Sequence, residues 1–159
     1  MTKERINEYV LRVSQANTSQ LHVILQDIII ERLQESLTIY EDAGREAYAA
    51  YMKKTQQFMQ ELMAGLNIGS AVAKEVLSIY LYVNEKIIAS YIQRQPVNTE
   101  QLISIMQRLR ASFGTVSEQD SEEPIMKNTQ QVYAGLTYGK GYLNESCDLS
   151  QMPNRGLKA

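Results

Sequence analysis

The chain has 159 residues, 44% of them hydrophobic, with a net charge of −2, one histidine and one cysteine. That length suits one domain with a sizeable core plus a tail, and the balanced charge without a basic block argues against nucleic acid or an anionic membrane as ligand. The single Cys147 excludes an internal disulfide framework and points to a reducing compartment. No apolar run approaches the ~18 residues needed to span a bilayer. The start, Met1-Thr2-Lys3-Glu4-Arg5, has no signal-peptide apolar region, so a cytoplasmic location is expected. The sequons at Asn17 and Asn144 then carry no weight.

Ile6, Tyr9, Val10 and Val13 form a short apolar stripe and predict a first helix over residues 3–15. Asn17, with Gln20 three residues on, has capping-box spacing for a second helix that runs to about Asp42, where Gly44 is a stop. This helix is apolar on two sides. Leu21, Ile24, Leu25, Ile28 and Arg32 mark one, and Ile29, Leu33, Leu37 and Tyr40 the other.

The third helix, about Arg45–Leu66, is a plain amphipath through Tyr48, Tyr51, Thr55, Phe58, Met59, Leu62 and Met63. Ser70 is placed to cap a fourth, running to about Arg94 before Pro96. It is again doubly apolar, with Val72, Val76, Ile79, Tyr80 and Val83 against Leu77, Leu81, Ile88 and Ile92. Asn98 and Gln101 repeat the capping spacing before a fifth helix, about Thr99–Thr115, whose narrow stripe is Leu102, Ile105, Met106, Leu109 and Phe113.

No segment alternates like a strand, and short connections make neighbouring helices antiparallel. The expected fold is all-α: an antiparallel up-and-down four-helix bundle with a short N-terminal helix, over residues 1–116. Residues 117–159 read as an acidic linker and a Tyr/Gly-rich tail, partly ordered at most, with docking candidates Val132, Tyr133, Leu136 and Tyr138. A helix with two apolar faces lies centrally or covers its second face with something else.

Catalytic chemistry finds little support. One histidine excludes Glu-x-x-His di-iron pairs and a two-histidine zinc site. His22 reads as a surface or cap-proximal residue, and Cys147, without basic neighbours, as an inert thiol. Asp27, Glu31 and Glu35 recur every four residues and read as a solvated stripe. No phosphate loop is present, so no enzyme activity, metal or cofactor is expected. Met52, Met59, Met63 and Met106 read as core filling. Ten tyrosines against two phenylalanines favour semi-exposed aromatic surface, with Tyr9, Tyr48, Tyr51, Tyr80 and Tyr82 as groove candidates.

Three stretches carry a family resemblance. Thr18, Leu21, Leu25 and Asp27 match a Thr-Pro-x-x-Leu…Leu-Tyr-Asp/Asn-Gly run in character, with Ser19, Gln26 and Ile28 replacing its proline, tyrosine and glycine. Leu77-Ser78-Ile79-Tyr80-Leu81-Tyr82-Val83 is similar to a Leu-x-x-Leu-Tyr-x-Tyr run. Leu109-Arg110 followed by Phe113 is similar to a Leu-Arg-x-x-Trp ending. In order and spacing, residues 6–116 resemble the flagellar secretion chaperones of the FliS family.

The resemblance implies a chaperone that holds the C-terminal helical segment of flagellin and passes it to the flagellar export apparatus, without nucleotide or metal. On that basis the expected partner-binding residues are Tyr9, Val13, Leu21, Ile24, Leu25, Ile28, Tyr80 and Tyr82. Ile6, Tyr9, Val10 and Val13 are expected to cover the groove in the free protein. The alternative is a scaffold that uses its spare faces to form a homodimer or larger assembly, without a flagellin client.

Overall fold

Four helices hold nearly all of residues 1–126, the part of the chain that the computed structural model describes. They are α1 (Lys3–Gln15), α2 (Thr18–Ala64), α3 (Ala71–Gln93) and α4 (Thr99–Gln119). The all-helical class expected from the periodicity is the class observed. The possible tail contacts at Val132, Tyr133, Leu136 and Tyr138, and Cys147, lie outside the described residues.

The caps explain where helices start. The Asn17 side chain accepts from the Gln20 backbone N–H at 2.8 Å, and the Gln20 side chain accepts from the Asn17 N–H at 3.1 Å. This capping box satisfies two donors that the first turn of α2 leaves open. Ser70 accepts from Ala73 N–H at the start of α3. Asn98 departs from expectation. It sits in the left-handed region at φ 54° and makes no side-chain cap bond, because the turn after Pro96 needs that conformation from a residue that tolerates it. Its amide bonds the Gln101 side chain instead, at 3.4 Å.

Gly44 does more than end a helix. Its φ of 82° and ψ of −177° occupy backbone space nearly closed to other residues, so α2 reverses there without a loop. Residues 18–43 and 45–64 thus form two arms that fold back on each other. Tyr40 meets Tyr48 edge-on at 5.3 Å, and Arg32 donates to Thr55 Oγ1 and to the Tyr51 carbonyl, both at 3.0 Å. Arg32 is buried and also stacks 4.0 Å over the Tyr51 ring. Burial lowers its pKa, but its two neutral acceptors keep the guanidinium bonded.

The second arm ends at Ala64 rather than Leu66, and α4 runs four residues beyond Thr115 to Gln119. The acidic run expected to be linker from 117 therefore begins as helix, with Ser117 buried and bonded to the Gly114 carbonyl.

The apolar residues sort into two clusters. The larger unites both arms of α2 with α3 and α4 through Ile29, Leu33, Met52, Leu62, Val83 and Met106, all fully enclosed. The smaller lies between α1 and the first arm of α2 and consists of Tyr9, Ala16, Ile24 and Ile28. The two apolar sides of α2 are thereby divided: Ile29 and Leu33 serve the bundle, and Ile24 and Ile28 are covered by α1. Among the described residues, no helix is long and apolar enough to cross a membrane.

Candidate functional site

The face of α2 beneath α1 combines apolar residues with a device that holds the cover down. Tyr9 is 4% exposed and is the one large anchor that α1 inserts, with Val13 half-buried beside it. Leu21, Ile24 and Ile28 receive them, and Phe58 closes the far side. Ile6 and Val10 point outward at 47% and 45% exposure, so only half of the stripe expected to cover the groove does so. All four residues lie within one arc of about 100°, with Val10 at its edge, and α1 rests on the Tyr9 and Val13 side of that arc.

The acidic row expected to be a solvated stripe is instead the fastening of α1. Met1 pairs through its amino group with Glu35, Arg5 with Glu31, and Arg12 with Asp27 at 2.8 Å. Asp27 also accepts from Arg110 of α4 at 2.8 Å. As residue numbers rise on α1 they fall on α2, so α1 runs opposite to the first arm. The Arg5 and Arg12 guanidiniums flank the Tyr9 ring at 4.9 and 5.3 Å, where its π face favours cations.

These fastenings shift titration in consistent directions. Burial tends to raise the Asp27 carboxyl, but the bonds from Arg110 and Arg12 win and hold it below the usual range. The Arg5 bond holds Glu31 low. Burial, followed by the neighbouring Glu31 carboxylate, raises the Tyr9 phenol. The pairs on α1 remain partly exposed, so solvent screens them and each holds only weakly. Tyr9 is the strongest single hold.

Other residues expected at the site lie elsewhere. Leu25 packs against the larger cluster. Tyr80 is fully enclosed in it. Its hydroxyl accepts from the Gln26 amide at 2.6 Å and lies 2.8 Å from His22 Nε2. Because Gln26 supplies a donor, the Tyr80 proton is free to go to His22, which accepts it as a neutral imidazole. His22 is buried, not a surface or cap residue, and its ring also meets Phe113 at 4.6 Å. Burial drops its pKa to about 4 and pushes the Tyr80 phenol up to about 12. Both groups stay neutral at pH 7 and are shut away from any substrate.

Tyr82 lies on another surface. With Ser78 and Ile79 of α3 and Ile105, Arg108 and Leu109 of α4 it lines an apolar depression. Leu81 and Ile92, from the other apolar stripe of α3, are exposed as well, so this second doubly apolar helix keeps that face open. Among the described residues, no group of three or more His, Cys, Asp or Glu side chains is arranged to hold a metal ion.

A covered apolar face on one helix, an open one on another and an enclosed histidine describe a binding bundle. A profile for the family described as "Flagellar protein FliS" matches residues 4–120. The chain belongs to the FliS family. The matched span takes in all four helices except Lys3. No curated protein and no solved structure gives a match. FliS membership makes a flagellar export chaperone the functional class, a class of binding proteins rather than enzymes.

Within this FliS bundle the salt-bridge row at Asp27, Glu31 and Glu35 is the feature that sequence reasoning missed. A signal was present: Arg5 and Arg12 lie seven residues, about two turns, apart and so share one face of the helix expected to cover α2, where an acidic row of period four could meet them.

Proposed function

We propose that this FliS-family chain is a cytoplasmic export chaperone that binds the C-terminal helical segment of flagellin and prevents its premature polymerisation. The client face is Leu21, Ile24 and Ile28, with Tyr9 and Val13 of α1 as the exchangeable cover. The observation that carries this reading is the cover itself: an apolar face on the central helix, closed by a short helix with one aromatic anchor and partly exposed ion pairs.

The physics is an exchange. Free flagellin segments would join through their own apolar sides, and an amphipathic helix laid on Ile24 and Ile28 buries that side instead. The client loses chain entropy on ordering, and α1 must leave, so both costs lower the affinity from what contact area suggests. That suits a chaperone, which has to give up its client to the export apparatus. No metal, nucleotide or covalent step enters. The depression at Ile79 and Tyr82 offers a long client a second apolar surface.

The test is co-purification of the chain with the flagellin of the same genome, followed by titration with that flagellin's C-terminal peptide. Ile24→Asp and Ile28→Asp should abolish capture while helicity and cooperative melting persist. Capture by the folded double variant would overturn the assignment. The exposed Leu81 and Ile92, on one stripe of α3, favour one rival, a self-associating scaffold. Light scattering that shows a stable oligomer unaffected by the peptide would select it.

A further inference from the structure

The join between α1 and α2 consists of two residues, Ala16 and Asn17, and both are almost inaccessible, at 3% and 2% exposure. For a surface turn this is unusual, since connections ordinarily run in solvent. What encloses them is the chain beyond α4. The Ile125 backbone N–H donates to the Ala16 carbonyl at 3.0 Å. The Asn17 side-chain amide donates to the carbonyls of Asp120 and Glu122, both at 3.3 Å. Ser19 donates to one Asp120 carboxylate oxygen at 2.5 Å, and the other accepts from Glu122 N–H at 3.0 Å.

We propose that residues 120–126 are a latch on the α1–α2 hinge, which sets how readily α1 leaves the Ile24–Ile28 face. This rests on the reading of that face as the client site. For α1 to swing away, the backbone must turn at Ala16 and Asn17. The Ala16 carbonyl and the Asn17 side chain are the groups that the latch engages. Asn17 uses its oxygen to cap α2 and its nitrogen to bind the latch, so the start of α2 stays capped while the latch opens.

Two features make the arrangement a device rather than a general brace. The latch touches the hinge and not the anchor: Tyr9 and the pairs at Arg5 and Arg12 are satisfied on α2 and α4 without it. It also consists mostly of residues after 120, where the FliS match ends. Its side chains are exposed, with Ile125 at 54% and Met126 at 49%, which means it holds through backbone bonds and one Ser–Asp contact. A ligand that drew residues 120–126 aside would free the hinge without unfolding the bundle.

Hydrogen–deuterium exchange on the full chain, without client, tests this. Ile125→Pro removes the donor to Ala16 and leaves an exposed position, and Ile125→Ala keeps the donor. Asp120→Ala removes the Ser19 contact. Losing one such bond should speed exchange of the amides of residues 3–15 by roughly two- to tenfold in Ile125→Pro and Asp120→Ala. Ile125→Ala should match the parent, and amides of residues 76–90 and 102–114 should not change. Unchanged exchange in residues 3–15, or faster exchange throughout the bundle, overturns the latch. Faster exchange confined to residues 3–15, with no gain in affinity for the flagellin peptide, leaves the latch standing and overturns the client face instead.

Discussion

Arg12 of α1 reaches Asp27 of α2 at 2.8 Å, through the carboxylate oxygen that Arg110 of α4 leaves free. One carboxylate thus ties the cover to two helices of the bundle. Its side chain is 18% exposed, which makes the site drier than an ordinary surface pair and the two charge-assisted bonds stronger.

Asp27→Asn should therefore lower stability at pH 7 by about 1–2 kcal/mol. The arginines hold the native pKa of Asp27 below its unfolded value. That contribution is complete above the unfolded pKa of about 3.9 and fades as pH falls through the native value. Thermal melts of parent and variant should differ at pH 7 and converge in strong acid. A constant difference across that range would show that the carboxylate's charge is not what holds α1.

The two faces of α2 should respond differently to truncation. Leu33 is fully enclosed in the main cluster, so Leu33→Ala should cost about 2–5 kcal/mol in a single cooperative transition. Ile28→Ala opens its space under α1, a short helix that can settle inward, and should fall at the low end of that range or below it. Denaturant titration of both variants measures this. Equal losses would mean that α1 is as rigid as the bundle.

This division of α2 was only half legible in its residues. The wheel separates Leu21, Ile24 and Ile28 from Ile29, Leu33 and Tyr40, and the structure uses that split. Leu25 and Tyr80 were not separable, because a residue at the border of two stripes turns to whichever neighbour packs better. Both went to the main cluster. His22 was misplaced for a related reason: near the start of a helix it looks exposed, but α3 and α4 bring Tyr80 and Phe113 over it. Long-range partners such as these, separated by 58 residues in the case of Tyr80, leave no local mark. Helix positions were easier, because capping at Asn17 and Ser70 is written within three residues.

His22 gives a pH dependence of its own. Burial lowers its native pKa to about 4, against about 6.5 for an unfolded histidine. Above pH 6.5 it is neutral in both states and contributes nothing to the slope. Between 6.5 and 4 the unfolded chain takes up a proton that the native one does not, so stability should fall by about 3 kcal/mol over that window. His22→Gln keeps an acceptor for the Tyr80 hydroxyl and should remove this part of the slope. Urea midpoints at pH 7, 5.5 and 4.5 provide the comparison, and an unchanged slope in the variant would assign the acid sensitivity to other groups.

Gly44 offers the sharpest test of the fold. A methyl group added there would meet nothing within 4 Å, so space does not forbid alanine. The obstacle is the backbone, since φ 82° with ψ −177° is a region that L-residues with a side chain rarely enter. Gly44→Ala should cost about 1–3 kcal/mol, although alanine is the better helix former. Alanine's helix preference also favours joining residues 18–43 and 45–64 into one straight rod, which would separate Tyr40 from Tyr48 and Arg32 from Thr55. Opened arms could satisfy those contacts only in a second copy, so the variant should show an exchanged dimer on size-exclusion chromatography at high concentration. A monomer as stable as the parent would mean that the reversal at Gly44 does not depend on glycine's conformational freedom.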